Sequence, residues 1–206
     1  MKKHREIVGI LRGVTPPEVE NIAAGLMAVG ITKIEVPLNS PNAFESIDIL
    51  VKYCGTEALV GAGTVLNVGQ VVQLAQIGAG VIISPNTNHD VIKKTKQLGM
   101  LSYPGVMTAT ECFAAIEAGA DALKIFPANI IGAAGISALK AVLPKDLPVL
   151  AVGGVELGAL SGWAKAGVSG FGLGSLLYKP GRSAVDVEAV AKLLVAEFDK
   201  INWSSK

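Results

Sequence analysis

Short runs rich in β-branched and apolar residues recur at 6–11 (EIVGIL), 33–38 (KIEVPL), 58–63 (ALVGAG), 80–84 (GVIIS), 100–104 (MLSYP), 121–126 (DALKIF), 148–152 (PVLAV) and 169–173 (SGFGL), a pattern of buried strands. Between them, apolar positions repeat at helical spacing over roughly 16–29, 43–53, 67–77, 89–98, 108–118, 133–143 and 156–166, with a last stretch near 184–198. Start signals agree with this division: Thr15 precedes Pro16, Asn67 and Asn88 occupy N-cap positions, and Thr108 is followed three residues later by Glu111. Gly30, Gly78, Gly99, Gly119 and Gly167 each fall where a helix ends before the next strand. This alternation predicts an α/β fold, a parallel eight-stranded (β/α)8 TIM barrel forming one domain over residues 1–206, with a doubly wound open sheet as the alternative. The chain is shorter than the ~250 residues typical of such barrels, so its connections must be short.

Two charges interrupt the apolar strands. Glu35 lies in KIEVPL and Lys124 in DALKIF, and side-chain alternation points each away from its apolar neighbours, into whatever the strands enclose. Glu35 follows Gly30, and Lys124 follows Gly119, at the same interval, so the two occupy equivalent places in two β/α units. A desolvated lysine loses proton affinity and becomes a usable amine nucleophile, and a carboxylate sharing its interior suggests Schiff-base chemistry with acid/base help. A structural ion pair, or a lysine that carries its head to solvent, fits these two strands equally well.

In barrels of this kind the active site lies at the carboxyl ends of the strands, where Arg12, Glu35, Thr64, Pro85, Lys124, Gly153, Gly154, Gly174 and Ser175 all fall. Glycines after the seventh and eighth runs let backbone N–H groups approach an anion, which points to a phosphorylated small-molecule substrate; tight turns alone are the competing reading. Arg12 and Thr64 together suit a carboxylate, although each alone also reads as a surface or capping residue.

Composition narrows the classes. With 50% hydrophobic and 17% charged residues the chain has enough apolar surface for extensive buried strand, and a formal net charge of +1 gives no nucleic-acid or membrane footprint. The apolar run from Ile7 to Leu11 stops at Arg12, too short for a signal peptide, and the uncharged stretch 58–88 is broken by Gly, Pro, Asn and Gln, so a cytoplasmic protein without a membrane span is expected. Cys54 and Cys112 match no metal or redox motif and read as core residues. His4 and His89 are the only histidines, which excludes a His-rich zinc centre and argues against a Ser-His-Asp triad. Neither Gly61-Ala62-Gly63 nor Gly170-Phe171-Gly172 completes a dinucleotide fingerprint, so no nucleotide cofactor is expected.

The motifs ILRG, IEVPLNSP, GAGTVL, SPN, YPGVMTATE, ALKIFPA, AVGGV and GLGS, in this order along nearly the whole chain, resemble the 2-keto-3-deoxy-6-phosphogluconate and 2-keto-3-deoxy-6-phosphogalactonate aldolase family. The resemblance implies a class I aldolase that uses no metal or other cofactor and assembles as a homotrimer, with a phosphorylated 2-keto-3-deoxy sugar acid as substrate. Lys124 matches the Schiff-base lysine and Glu35 the catalytic acid/base. Arg12 and Thr64 match the substrate-carboxylate contacts, Pro85 and Phe126 residues near the carbonyl, and Gly153, Gly154 and Ser175, beside Gly174, the phosphate site. Val152 and Asn39 stand where members acting on the gluconate isomer tend to have Thr and Arg, a pattern similar to members acting on the galactonate epimer. The helix expected over 67–77 carries Gln70, Gln73 and Gln76 but no charge, and is expected to contribute to a subunit interface.

Overall fold

The computed structural model describes residues 5–203. Its strands are β1 (Ile7–Ile10), β2 (Lys33–Pro37), β3 (Leu59–Gly63), β4 (Val81–Ile83), β5 (Leu101–Tyr103), β6 (Gly105–Val106), β7 (Leu123–Ile125), β8 (Val149–Val152) and β9 (Gly170–Leu173). The helices are α1 (Val19–Ala28), α2 (Ala43–Cys54), α3 (Val68–Gln76), α4 (His89–Gln97), α5 (Ala109–Glu117), α6 (Ala128–Lys140), α7 (Leu160–Lys165) and α8 (Ala184–Asp199). All ladders are parallel, in the order β5-β4-β3-β2-β1-β9-β8-β7-β6. The two outermost members, β5 and β6, are one strand interrupted by Pro104, so the sheet returns on itself as the expected (β/α)8 barrel and not as an open doubly wound sheet. Proline cannot donate to a ladder, but its C=O still accepts from the Lys124 N–H at 2.9 Å, and this bond spans the break.

The helix boundaries follow local chemistry. Asn67 accepts from the Gln70 N–H, Asn88 from those of Asp90 and Val91, and Thr108 from that of Glu111, as the start signals require. Gly30, Gly78, Gly99, Gly119 and Gly167 all adopt positive φ. Three expected helices change shape. The 16–29 stretch opens as a 3-10 turn at Pro16–Glu18 before α1. Residues 128–140 form α6 with a break at Gly132, so only its second half matches the expected 133–143. The 156–166 stretch shortens to α7, because Gly158 at φ 87° ends any regular turn before it.

Alternation along the strands divides the core in two. Ile7, Leu11, Ile34, Val36, Val60 and Ala62 face outward into the large layer shared with the helices. Val8, Ile10, Ile83, Tyr103, Leu150 and Val152 face inward and fill the barrel. α8 is seated on β9 by Phe198, whose ring meets that of Phe171 edge-on at 6.1 Å. Both cysteines are buried and unpaired. Among the described residues no helix is long and apolar enough to cross a membrane, and no cluster of three metal-ligating side chains occurs.

Glycine makes the interior possible on β3. A Cβ at Gly61 would lie 1.9 Å from the Val81 carbonyl oxygen, and one at Gly63 would lie 1.6 Å from Glu35 Oε2. The first obstacle is backbone on the adjacent strand, which cannot rotate away. Gly61→Ala is therefore expected to destabilise the fold by about 1–3 kcal/mol or more, read as a lower urea midpoint.

Candidate functional site

Register brings the two strand charges together. Glu35 pairs with Ile10 on one side and Gly61 on the other, and Lys124 lies between Gly105 and Leu150, so each inward-pointing chain is flanked by at least one glycine. Both line one small cavity with Val8, Ile10, Ile83, Tyr103, Leu150 and Val152. Its volume of ≈ 10 Å³ is about that of a single water site.

The exposures decide the electrostatics: Glu35 is 1% and Lys124 5% exposed. Burial pushes the Glu35 carboxyl up to about 7, against the opposing pull of Lys124 and then Arg12. Burial likewise drives the Lys124 amine below the usual lysine range; Glu35 works against that shift, and Arg12 adds to it. Lys124 Nζ stands 4.8 Å from the centroid of the Phe126 ring, and Glu35 Oε2 has no hydrogen-bond partner among the described residues. A lysine that sheds its proton easily, beside a carboxyl that titrates near neutrality, can attack a carbonyl and move the protons that follow.

Above the pair, Arg12 Nη1 donates to Asn39 Oδ1 and lies 3.5 Å from Thr64 Oγ1, at the outer edge of hydrogen-bonding distance. Thr64 holds φ at 57°, a left-handed conformation that costs a β-branched residue on the order of 1–3 kcal/mol and recurs at functional sites. Pro85 closes the neighbouring strand end. Its carbonyl oxygen lies 2.3 Å from where a Gly105 Cβ would stand, and Gly105 is the register partner of Lys124.

Across the opening, Gly153 and Gly154 follow β8 at φ 91° and 71°, and Gly174 and Ser175 follow β9. Among the described residues the N–H groups of Gly153, Gly154, Gly174 and Ser175 donate to no protein acceptor. Side chains are kept clear of this edge, since a Cβ on Gly154 would lie 2.4 Å from Asn129 Cβ. Of the residues expected at the carboxyl ends of the strands, Arg12, Thr64, Pro85 and the glycine loops lie just past those ends, with Phe126 directly after β7 and Val152 ending β8, whereas Glu35 and Lys124 stand in mid-strand and line the cavity.

Three features were not read from the sequence. Asn39 binds Arg12 directly, although it was singled out only for its place in the motif. Tyr103 lines the cavity, and its position in the MLSYP run, facing inward by alternation, was the available signal. Lys33 also points inward, at the opposite end of β2, where its Nζ donates to Glu6 Oε1 at 2.6 Å and faces the Tyr103 ring at 5.8 Å. That lysine is the structural ion pair of the barrel floor. On α3 the three glutamines differ in role. The Gln70 Oε1 accepts from the Leu66 and Asn67 N–H groups as half of a capping box, so of the three glutamines Gln73 and Gln76 are the exposed ones.

The family model described as KDPG and KHG aldolase matches residues 1–193. A probable 2-dehydro-3-deoxy-6-phosphogalactonate aldolase of Rhizobium meliloti is 47% identical over 96% of this chain and 93% of its own. The 2-dehydro-3-deoxy-6-phosphogalactonate aldolase of Escherichia coli is 48% identical over 86% of each chain. A solved structure described as native KDPGal superposes with a TM-score of 0.93 at 45% identity, over 94% of both chains.

The coupling between the two buried groups has a sign that can be measured. Glu35 holds the Lys124 amine up, so Glu35→Gln is expected to lower the Lys124 pKa further. The pH midpoint for amine labelling of Lys124, followed by peptide mass spectrometry, then moves to lower pH; an unchanged or higher midpoint contradicts the coupling.

Proposed function

Because this chain belongs to the KDPG and KHG aldolase family, we propose that it is a class I aldolase, a carbon–carbon lyase, that cleaves 2-dehydro-3-deoxy-6-phospho-D-galactonate to pyruvate and D-glyceraldehyde 3-phosphate. The observation that carries this reading is a nearly buried Lys124 with lowered proton affinity, sharing one cavity with a Glu35 that titrates near 7. The neutral Lys124 amine attacks the carbon-2 ketone. Glu35 donates the proton that lets the carbinolamine lose water, giving a protonated imine. The Glu35 carboxylate then takes the carbon-4 hydroxyl proton; the bond between carbons 3 and 4 breaks, and its electron pair flows into the imine to form an enamine. Glyceraldehyde 3-phosphate leaves. The enamine is protonated at carbon 3 from Glu35, and water releases pyruvate and the free amine.

In this reading Arg12 and Thr64 hold the substrate carboxylate, which lacks hydrogen-bonding partners elsewhere in the apolar cavity mouth. Pro85 and Phe126 flank the carbonyl carbon. The free amides of Gly153, Gly154, Gly174 and Ser175 receive the phosphate. Val152 and Asn39 set the epimer preference, because a hydroxyl-bearing pocket and an apolar one discriminate differently at carbon 4; the two galactonate-named relatives at 47% and 48% identity support that choice. We further infer a homotrimer, with the exposed Gln73 and Gln76 of α3 near a subunit contact, and a cytoplasmic setting, for which the two unpaired buried cysteines are the supporting feature.

Borohydride reduction in the presence of pyruvate is expected to abolish activity and add the mass of reduced pyruvate to the peptide containing Lys124; labelling elsewhere, or none, overturns the covalent role. Assayed side by side, the galactonate 6-phosphate is expected to be cleaved with a higher kcat/KM than the gluconate 6-phosphate, and a reversed order would reassign the sugar.

A further inference from the structure

The turn after β9 is pinned from behind by a side chain that lies away from the cavity. Within the turn, the Gly174 C=O accepts from the N–H groups of Leu177 at 2.8 Å and Tyr178 at 2.9 Å, and among the described residues the Ser175 and Leu176 N–H groups donate to no protein acceptor. At its other end, Arg182 Nη1 donates to the C=O of Leu176 at 2.6 Å and to that of Leu177 at 2.7 Å. Hydrogen bonds from a guanidinium are roughly twice as strong as neutral ones, and one nitrogen gripping two successive carbonyls fixes the planes of both peptides. Those two peptides carry the Leu177 and Tyr178 N–H groups, which are thereby aimed at the Gly174 C=O, and that carbonyl shares its peptide plane with the Ser175 N–H. The segment that carries Arg182 is itself braced. Pro180 packs against Gly13, where a Cβ would stand 2.7 Å from its Cγ, and Ser183 caps α8 by accepting from the Asp186 N–H.

We propose that Arg182 is a positioning residue for phosphate recognition: by fixing the two peptides whose N–H groups bond the Gly174 C=O, it holds the Gly174–Ser175 peptide, and with it the Ser175 amide, in the anion-receiving orientation. This rests on the reading that the substrate's phosphate ester binds at the turns after β8 and β9. Without the guanidinium, two carbonyls lose their donor, the Leu177 and Tyr178 N–H groups can turn away from the Gly174 C=O, and the Gly174–Ser175 peptide is freed to rotate its oxygen toward the phosphate, replacing attraction by repulsion. Arg182 touches neither the substrate nor the reacting atoms in this arrangement. Its loss should therefore weaken phosphate binding while leaving chemistry at Lys124 intact.

The test compares wild type with Arg182→Gln and Arg182→Lys by three measurements: KM and kcat for the phosphorylated sugar acid, competitive inhibition by inorganic phosphate, and the rate of pyruvate-dependent borohydride trapping at Lys124, which involves no phosphate. Arg182→Gln is expected to raise KM, and to weaken phosphate inhibition, by about tenfold, with kcat and pyruvate trapping within about twofold of wild type. Arg182→Lys, a point charge without the planar fork, is expected to fall between. Parallel losses in KM, kcat and pyruvate trapping would mean general loosening and overturn the proposal, as would phosphate inhibition unchanged in both variants, an outcome that leaves the phosphate site itself standing. Wild type indifferent to inorganic phosphate would instead overturn the phosphate reading and the role of Arg182 with it. Should Arg182→Gln fail to fold, Arg182→Lys carries the same comparison.

Discussion

A barrel filled with aliphatic side chains is a poor solvent for charge, and this molecule places an amine and a carboxyl inside one. Each group taken alone would lose most of its tendency to ionise. Together they limit the damage, because the carboxylate steadies the ammonium and the ammonium the carboxylate. The result is an amine that sheds its proton more readily than an ordinary lysine, beside a carboxyl pushed up to about 7, which lowers the cost of moving a proton. A buried ion pair optimised for stability would have every lone pair satisfied; here Glu35 Oε2 has no partner among the described residues and the cavity beside it is of water size. The floor of the same barrel shows the contrast. There Lys33 and Glu6 meet at 2.6 Å, with Tyr103 alongside.

Room for two long polar chains has to be taken from the barrel wall. It comes from glycine: Gly61, Gly63, Gly105 and Gly172 stand on inward-facing positions where a methyl group would strike backbone or a neighbouring side chain. Glycine in a strand weakens it through backbone entropy and lost packing. The outward faces make up the difference, since Ile34, Val36, Val60 and Ala62 on the same two strands are fully or almost fully buried against the helices. One face of each strand therefore supplies stability and the other supplies space.

Periodicity made most of this legible. Alternation assigned Glu35 and Lys124 to the interior, the caps and helix-ending glycines located the units, and eight strand–helix units implied closure. What stayed hidden depends on contacts between distant segments. Pro104 splits a strand only because the ladder there needs a donor it lacks. Lys33, on the same strand face as Glu35, becomes a floor ion pair only because Glu6 comes beside it. Gln70 seemed to report a protein surface, yet its side chain answers to the backbone of its own helix start. Arg182 offers no sequence signal at all, since its partners are two backbone carbonyls.

Arg12 links the rim to the interior. Its positive charge favours the deprotonated form of both buried groups, lowering Glu35 from where burial alone would put it and adding to the fall of Lys124. It therefore biases the resting pair toward carboxylate and free amine, the combination needed for attack on a carbonyl. Asn39 holds the guanidinium at the rim, with Thr64 beside it in a left-handed backbone conformation. In the proposed reaction, a substrate carboxylate held on Arg12 would offset its charge and so raise the proton affinity of both groups as the protonated imine forms and Glu35 gives up a proton. On that proposal, binding at the rim and proton placement in the core are one electrostatic event, and any residue that moves Arg12 alters both.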